Sequence, residues 1–504
     1  MFINSLSKHT IAISKTSSSK EGMQHIHLFL SMIFFSAIIR FFCMNHHELL
    51  VEEAYYWNYA QHLDWGYLDH PPMVAVLIKI STWLLGTHEF SIRLPAFICW
   101  IISAYFSYRW CELLKKGTGI YALFLLSILP FFVIYSLIMT PDLPLMACWS
   151  ASLFYLYRAL CLHEKHSWYL ASIAIGLGLL AKYSIVLIPM TTVFYVICIP
   201  NARFWLRRIE PYLGIMIILI LFTPVIYWNM THAWSSFAFQ STRRFQDQLH
   251  FSFHEIIGLL CLYLTPPGIL SLYQIIQTQK KPTLYNRSFA VFYTLLPLAI
   301  FALFSLTHQI KFNWIGPCLL AIIPWLVLQL DQHKLTYQRW LKTGLCLSIV
   351  YSLMLGCLVY GRPEALYRIV FNKMISWDNL TTQFEDIYAK YAADDPSLLL
   401  IALDSYSIAS ELLFYQEKHK QKHHVEPTFL LHSSDAFGYM DLMFQAWYSS
   451  TSLHHKTALL IAKEAKDLQL AHITQKSPIY TIWGLSPKTN LQLRPYYYQL
   501  VLID

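Results

Sequence analysis

The sequence predicts an all-helical polytopic membrane protein that carries a small α/β domain at its C-terminal end. Three observations lead to this fold class. Of the 504 residues, 56% are hydrophobic, only 13% are charged, and the apolar residues form long runs separated by short basic segments. A soluble protein of ordinary composition carries about 25% charged residues. Aromatic residues reach 16%, which suits many helix ends at membrane surfaces, where amphipathic rings are favoured.

The net charge of +8 does not indicate a nucleic-acid partner. The Lys and Arg residues lie mainly in short clusters between apolar runs, which is the pattern that orients membrane helices. The ten cysteines fall in or beside the apolar runs and show neither a disulfide framework nor zinc spacing. We interpret them as small buried side chains.

The chain begins with a polar, basic tail at 1–25, which we expect to be cytoplasmic. The apolar run that follows is too long for a signal-peptide core and lacks a small-residue cleavage site, so we expect a helix that stays in the membrane. A spanning helix needs roughly 20 mostly apolar residues. We predict about eleven spans within a transmembrane domain at 26–360: 26–44, 91–111, 119–138, 143–160, 167–181, 183–199, 211–229, 255–276, 288–306, 312–330 and 340–360.

The shorter apolar run 72–85 begins at a double proline and contains Lys79. We predict an interfacial amphipathic helix here, because counting it as a span would place Lys115 and Lys116 outside and invert every later loop. The inner loops then carry the basic clusters. The first outer loop covers 45–90, and the C-terminal region lies on the outer face.

The C-terminal region, 361–504, has the polarity of a soluble domain. Strand-like runs at 398–403 and 480–483 and a helical stretch at 407–415 predict a small α/β domain.

The first outer loop is rich in carboxylates, and residues 45–71 contain no Lys or Arg. Glu52 and Glu53 stand beside an aromatic cluster at a membrane surface. Burial and like-charge proximity there can raise the pKa of one carboxyl toward a value useful in a general base. For Glu48 and Asp64, a solvated loop is an equally good interpretation.

Basic groups on the outer side run against the usual charge distribution of membrane proteins. Lys182, Arg243, Arg244 and Lys311 are such groups. For Lys182 and Lys311 we favour a role in neutralising a departing phosphate over snorkelling to lipid. For Arg93, at an outer helix end, snorkelling is as good an interpretation. Asp142 lies at the outer end of a helix hairpin, where a charge is a functional hypothesis.

Several segments together resemble glycosyltransferase family 39, whose members include protein O-mannosyltransferases and the aminoarabinose transferase acting on lipid A. The segments are 51–57 (VEEAYYW), 63–73 (LDWGYLDHPPM), 89–95 (EFSIRLP), 140–142 (TPD), 180–183 (LAKY), 224–229 (PVIYWN), 232–234 (HAW) and 311–314 (KFNW). They follow one another in order over most of the membrane region, and their combination is specific although each alone is weak.

The resemblance implies a membrane glycosyltransferase of the GT-C type in a bacterial inner membrane, with its active site facing the periplasm. The donor would be a polyprenyl-phosphate sugar, and the acceptor a glycan, lipid A or a protein. In this family an Asp-Glu pair begins the first outer loop, and Glu52 stands here at the Asp position. Glu52 is the implied base, with Glu53 and Asp142 as helpers.

The remaining site residues fall into two groups. We predict that donor phosphate binds Lys182, Arg243, Arg244 and Lys311, and that Tyr55, Tyr56, Asp69 and His70 line the substrate pocket. The sequence leaves two possibilities for a cofactor, a divalent metal ion or none. His46, His47 and His70 lie near acids, which favours a metal, but they lack the spacing of metal ligands.

Three other classes compete with the transferase. A transporter or flippase would share the spans, but is expected to show paired discontinuous helices in two related halves, and the sequence has no such repeat. A glycan polymerase or ligase would keep the lipid-linked donor and use different motifs. A purely structural membrane protein has no reason to place an acidic loop opposite outer lysines.

Overall fold

A computed structural model of the chain describes residues 27–243, 249–277, 287–361, 374–423, 428–449, 453–489 and 491–504. Helices dominate the first 360 residues: His27–Cys43, Val51–Gln61, Met73–Leu85, Glu89–Leu114, Gly119–Ile128, Pro130–Tyr135, Asp142–Leu162, His166–Ala181, Leu187–Cys198, Glu210–Thr231, Ser235–Ala238, Phe253–Gln277, Arg287–Ser305, Ile323–Gln332 and Lys334–Tyr360. Shorter 3-10 turns occupy Tyr183–Val186, Pro200–Arg207 and Gly316–Ala321, and a π-helical turn occupies Phe239–Arg243.

Every predicted apolar run contains helix, but not every run is one long helix. Among the described residues, six helices are long and apolar enough to cross a membrane, or seven if the bent pair Tyr183–Cys198 and Pro200–Arg207 counts as one span. The other five runs, the bent pair among them, hold shorter or broken helices. The predicted count of about eleven spans therefore does not follow from helix length and composition.

Prolines explain two of the breaks. Leu129 has extended backbone angles and separates Gly119–Ile128 from Pro130–Tyr135, because a residue before proline avoids the helical conformation. Thr265 has a φ of 60° inside Phe253–Gln277, directly before Pro266 and Pro267. Such breaks are tolerated at membrane depth where neighbouring segments satisfy the interrupted backbone.

The predicted interfacial segment is the 13-residue helix Met73–Leu85. One face is buried and includes Ala75 and Ile78, while the other exposes Ile80 and Trp83. This helix is short and apolar on its exposed face, as expected of a helix lying along a membrane surface.

The C-terminal region is an α/β unit, as predicted. Its strands are β1 (Leu399–Ala402), β2 (Leu430–His432), β3 (Thr457–Ala462), β4 (Ile473–Gln475), β5 (Tyr480–Leu485) and β6 (Gln492–Ile503), and its helices are Trp377–Ala392, Ser407–His423 and Met443–Tyr448. The order along the sheet is β2-β1-β3-β6-β4, and β5 also pairs with β6. β1 runs parallel to β2 and β3, whereas the pairs with β6 are antiparallel.

The C-terminal unit packs directly on helix Val51–Gln61 of the first outer loop. The rings of Trp57 and Phe414 meet edge to face at 5.4 Å, and Asn58 Nδ2 donates to the main-chain oxygen of Ser410 at 3.3 Å. The hydroxyl of Tyr415 accepts a hydrogen bond from the main-chain N–H of Leu49 at 3.0 Å. The loop after β1 leads into the helix that makes these contacts, so this loop, at the carboxyl end of a parallel strand where α/β sheets commonly bind ligands, lies beside the acidic loop.

Candidate active site

Glu52 and Glu53 occupy the first turn of helix Val51–Gln61, where carboxylates are favoured by the helix dipole. Consecutive helical residues point in directions about 100° apart. The side chain of Glu52 is exposed, whereas Glu53 is completely buried. The two carboxylates of the predicted pair therefore face different surroundings.

Glu53 is held on all sides by hydrogen-bond donors. Arg93 donates from Nε at 2.9 Å and from Nη2 at 2.7 Å, and the main-chain N–H groups of Leu50 and Met139 each donate at 3.0 Å. The carboxylate does not line the cavity that Glu52 faces. Arg93 is fully buried as well, so the snorkelling interpretation of Arg93 is wrong.

Glu52 opens into a cavity of about 660 Å³ between the first outer loop and the C-terminal unit. Four other predicted site residues of the first outer loop, and one predicted cation, line the same cavity: Tyr55, Tyr56, Asp69, His70 and Lys311. No hydrogen bond or ion pair connects the Glu52 side chain to the described part of the protein. Glu52 therefore presents an exposed carboxylate to a pocket rich in polar and aromatic groups.

Asp69 is a half-buried carboxyl on the wall of this cavity. The hydroxyls of Tyr59 and Tyr55 donate to Oδ1, the latter at 3.3 Å, and Gln240 Nε2 donates to the main-chain oxygen at 2.5 Å. Burial raises the pKa of Asp69 above its usual range, while the tyrosine bonds and the charge of Lys311 act in the opposite direction. Asp69 thus orients the two tyrosines at the base of the pocket.

A smaller chamber of about 240 Å³ adjoins the first and shares His70, Gln240 and Trp314 with it. In this chamber Lys182 Nζ lies 2.7 Å from Asp142 Oδ1, and Asn313 Nδ2 donates to Asp142 Oδ2 at 2.7 Å. Both members of the pair are mostly buried, with 12% of the Lys182 side chain and 3% of the Asp142 side chain exposed.

Local helix geometry brings this ion pair to one place. Asp142 is the first residue of helix Asp142–Leu162, and Lys182 is the residue that caps the C-terminal end of His166–Ala181. Acids are stabilised at helix N-termini and cations at helix C-termini. Antiparallel neighbouring helices place these two ends side by side.

The other predicted phosphate-binding residues differ in where they lie and in whether the structure describes them. Lys311 is exposed on the wall of the larger cavity. Arg243 ends the π-helical turn Phe239–Arg243, whose Gln240 lines both chambers, but its side chain lies outside the described residues. Arg244 lies outside them altogether.

Several residues of this site were missed by sequence reasoning. Tyr406, from the loop after β1, lines the cavity, and its ring lies 4.7 Å from that of Tyr55. Burial and the nearby carboxylates of Glu52 and Asp69 raise the pKa of Tyr406 to about 12. No local signal marks this tyrosine, whereas Asn313 belongs to a motif that the family resemblance already contains.

A second polar cavity, of about 570 Å³, lies on the other side of the junction between the acidic loop and the C-terminal unit. Val51 and Ser407 line it, whereas their chain neighbours Glu52 and Tyr406 line the larger cavity. No described residue lines both cavities, and these two chain segments lie between them. Lys488 and Arg494 also line this second cavity.

Glu48 connects the two parts at this cavity. Its carboxylate accepts hydrogen bonds from Ser376 Oγ and the main-chain N–H of Trp377, both at 2.6 Å, and from Asp378 N–H at 3.2 Å. Glu48 thus caps the helix Trp377–Ala392, rather than lying in a solvated loop.

The three histidines considered for a metal site do not converge. His46 and His47 line the second polar cavity, whereas His70 lines the larger one. Burial, together with the charge of Arg93, lowers the pKa of His47 to about 3. Within the described ranges, no group of three or more His, Cys, Asp or Glu side chains is placed to hold a metal ion.

Comparisons with known proteins agree with this architecture. The family model described as dolichyl-phosphate-mannose-protein mannosyltransferase matches residues 69–228. The lipid A galacturonosyltransferase RgtD of Rhizobium johnstonii is 26% identical over 218 residues, which are 41% of this chain and 42% of that protein. The alignment thus spans less than half the length of this curated relative.

Solved structures extend the likeness to nearly the whole chain. ArnT from Cupriavidus metallidurans in the apo state has a TM-score of 0.61 at 14% identity and covers 95% of this chain and 98% of its own. The same enzyme bound to undecaprenyl phosphate has a TM-score of 0.63 at 15% identity, with 93% and 97% covered. These findings confirm the resemblance to the membrane glycosyltransferases of family 39 and the predicted GT-C fold with its C-terminal sheet domain.

Proposed function

We propose that this protein transfers a sugar from a polyprenyl-phosphate donor to an acceptor on the outer face of a bacterial inner membrane. One observation carries the proposal. The exposed carboxylate of Glu52 faces the same cavity as Lys311, and that cavity adjoins the chamber of Lys182. A base and cations placed around one pocket are the groups that glycosyl transfer from a phosphate requires. The undecaprenyl phosphate bound by ArnT and the lipid A acceptor in the name of RgtD support the donor and acceptor classes.

Glu52 is the base in this proposal. The acceptor hydroxyl gives its proton to the Glu52 carboxylate while its oxygen forms a bond to the anomeric carbon. The bond between that carbon and the phosphate oxygen breaks, and the electron pair leaves with the phosphate, so the anomeric configuration inverts. A positioned base of this kind contributes roughly 10²–10⁴-fold to the rate.

Lys182 and Lys311 stabilise the departing polyprenyl phosphate. In this proposal their positive charges offset the negative charge that accumulates on the phosphate as the sugar leaves. Asp142 engages Lys182 with one oxygen and Asn313 with the other, so we assign it to positioning Lys182 instead of removing a proton. Arg243 and Arg244 remain proposed phosphate ligands from the sequence.

The tyrosine-rich wall is suited to hold the sugar. Tyr55, Tyr56 and Tyr406 offer ring faces and hydroxyls, and Asp69 and His70 offer further hydrogen-bonding groups. Sugars pack on aromatic faces through their C–H surfaces and hydrogen-bond through their hydroxyls. Glu53 is then a positioning residue, because it fixes the helix turn that carries Glu52.

The acceptor, whether lipid A, a glycan or a protein, would approach through the second polar cavity. Only short chain segments lie between it and the larger cavity, because Val51 and Ser407 line the one and their neighbours Glu52 and Tyr406 line the other. It also contacts Leu358, near the end of the long apolar helix Lys334–Tyr360, so a molecule anchored in the membrane can reach it. Lys488 and Arg494 suit acceptors with anionic groups.

Mass spectrometry of lipid A and surface glycans tests this function directly. We expect one species that carries an added sugar to disappear when the gene is deleted and to return when the wild-type gene is restored. A gene encoding Glu52→Gln, expressed at the same level, should not restore it. Identical profiles with and without the gene would contradict the proposed function.

A further inference from the structure

An apolar groove lies at the end of the helical part that is opposite to the Glu52 cavity. It has a volume of about 210 Å³. Helices Asp142–Leu162, His166–Ala181, Leu187–Cys198 and Glu210–Thr231 and the 3-10 helix Pro200–Arg207 line it. Trp168 contributes to it from the first turn of its helix. Lys182 lies beyond the other end of the same helix. At a rise of 1.5 Å per residue, it is about 21 Å from Trp168 along the helix axis.

The groove has a buried floor and an open rim. Its floor includes Leu156, Ala171 and Trp205, all nearly inaccessible, whereas Val193 and Ile215 on the rim are 57% and 52% exposed. A bound water needs two to four polar partners, and these walls offer few. A hydrocarbon chain entering from the side matches both the walls and the rim.

Cations gather at one end of this groove. Lys165, Arg203 and Arg207 are exposed there. The carboxylates at the same end are already engaged, since Glu164 pairs with Arg158 at 2.7 Å and Glu210 with Arg208 at 2.9 Å. Within the part of the chain that the structure describes, no carboxylate lies within salt-bridge distance of Arg203 or Arg207.

The short helix Pro200–Arg207 carries both groove residues and exposed cations. Trp205 belongs to the floor, and the exposed Arg203 and Arg207 lie two residues to either side of it. Arg203 donates from Nε to the main-chain oxygen of Ile197 at 2.9 Å, which anchors the guanidinium beside the rim. The helix bends by 109° from the preceding apolar helix, as expected for a segment that leaves the membrane core for its surface.

We propose that this groove binds one anionic phospholipid, with an acyl chain along the apolar walls and the phosphate between Arg203 and Arg207. A basic pocket between membrane helices selects anionic headgroups, whereas an apolar groove alone accepts any acyl chain. The inference does not depend on the proposed enzymatic function, because none of these residues lines either chamber of the Glu52 site.

Native mass spectrometry of the full-length protein in detergent tests this site with phosphatidylglycerol and phosphatidylcholine of identical acyl chains. We expect preferential retention of one phosphatidylglycerol. Arg203→Gln combined with Arg207→Gln should weaken phosphatidylglycerol binding by about thirtyfold, since each cation near a membrane surface contributes about fivefold, and should leave phosphatidylcholine binding unchanged. Arg109→Gln is the matched control, because Arg109 is exposed outside the groove.

The acyl-chain part of the inference has its own variant pair. Val193→Trp fills the rim and should weaken binding of both lipids, whereas Ile220→Trp, at a 67% exposed position outside the groove, should not. Equal retention of the two lipids by the wild type would overturn the proposal and indicate ordinary surrounding lipid. Unchanged binding in Val193→Trp, or an equal loss in Arg109→Gln, would also overturn it.

Discussion

Arg93 and Glu53 form a fully buried ion pair, with Arg93 Nη2 and Glu53 Oε2 2.7 Å apart. The same guanidinium donates to the main-chain oxygens of Met44, His47 and Glu48. Arg93 therefore connects the chain segment before helix Val51–Gln61 to helix Glu89–Leu114. The orientation of Glu52 toward the cavity depends on these hydrogen bonds and on the ion pair.

The first prediction concerns this pair. Arg93→Met should destabilise the protein by about 3–5 kcal/mol, because it leaves the Glu53 carboxylate buried without its cation. The double variant Arg93→Met, Glu53→Leu should recover part of the loss. Thermal unfolding of the purified protein in detergent measures both, with Arg109→Gln as a surface control. Equal unfolding temperatures for Arg93→Met and the wild type would show that the pair does not hold this loop.

The second prediction concerns Lys182. Lys182→Met should weaken binding of undecaprenyl phosphate by about 10–100-fold, because hydrogen bonds to charged groups contribute about 1.5–3 kcal/mol. Asp142→Asn should have a smaller effect, since the amide oxygen can still accept a hydrogen bond from Lys182. Lys115→Met is the control, because Lys115 pairs with Asp331 away from this site. Equal affinity in Lys182→Met and Lys115→Met would remove Lys182 from the phosphate site.

The third prediction is a pH dependence caused by Glu411. This side chain is fully buried between the C-terminal unit and the acidic loop, and both its oxygens lack a partner among the described residues. Burial, followed by the charges of Glu48 and Glu53, raises the pKa of Glu411 well above 4.5. Folding therefore favours the protonated form.

The sign of the effect follows from this shift. The stability contribution of Glu411 is complete below pH 4.5, the unfolded value, and decreases as the pH rises toward the raised folded pKa. The glutamine in Glu411→Gln cannot ionise. The unfolding temperature of this variant, relative to that of the wild type, should therefore increase as the pH rises from 5 to 8. A constant difference between the two proteins over this range would contradict the assignment.

The fourth prediction concerns orientation. With the N-terminus inside and the C-terminal unit outside, a membrane-impermeant thiol reagent applied to intact cells or spheroplasts should label Leu430→Cys and spare Lys20→Cys. Leu430 is 45% exposed on β2, so access is not limited by burial. Labelling should be measured in a background without the ten native cysteines. Labelling of position 20 alone would invert the orientation and exclude a periplasmic site.

The sequence predicted part of this arrangement. Lys311 lines the same cavity as Glu52, and Asp142 and Lys182, which lie at helix ends, line the chamber that adjoins it. Apolar run length predicted the helices but not their interruptions, although Pro130 and Pro266 mark two of them. Total hydrophobicity does not distinguish a straight helix from a broken one.

Other features depend on contacts that local sequence does not encode. The family resemblance singles out Glu52, but the local sequence does not show that Glu53 is buried against Arg93 while Glu52 is exposed. Tyr406 reaches the pocket from the C-terminal unit, more than 300 residues along the chain from Tyr55. The capping of Trp377–Ala392 by Glu48 likewise requires knowledge of how the two parts dock.

The identity of the base is tested through two substitutions at one position. Glu52→Gln keeps the shape of the side chain and removes its basicity, while Glu52→Asp restores the residue that the family resemblance places here. Both changes act on an exposed side chain, so neither should disturb folding. Glu53→Gln serves as the companion variant, and its main effect should be on stability.

The most direct measurement is the turnover of Glu52→Gln in membranes, followed as formation of the glycosylated product that mass spectrometry identifies. We expect turnover to fall by roughly 10²-fold or more while undecaprenyl phosphate binding is retained, and we expect Glu52→Asp to keep measurable activity. Wild-type turnover by Glu52→Gln at equal expression would contradict the account, because the carboxylate that removes the acceptor proton would then lie elsewhere.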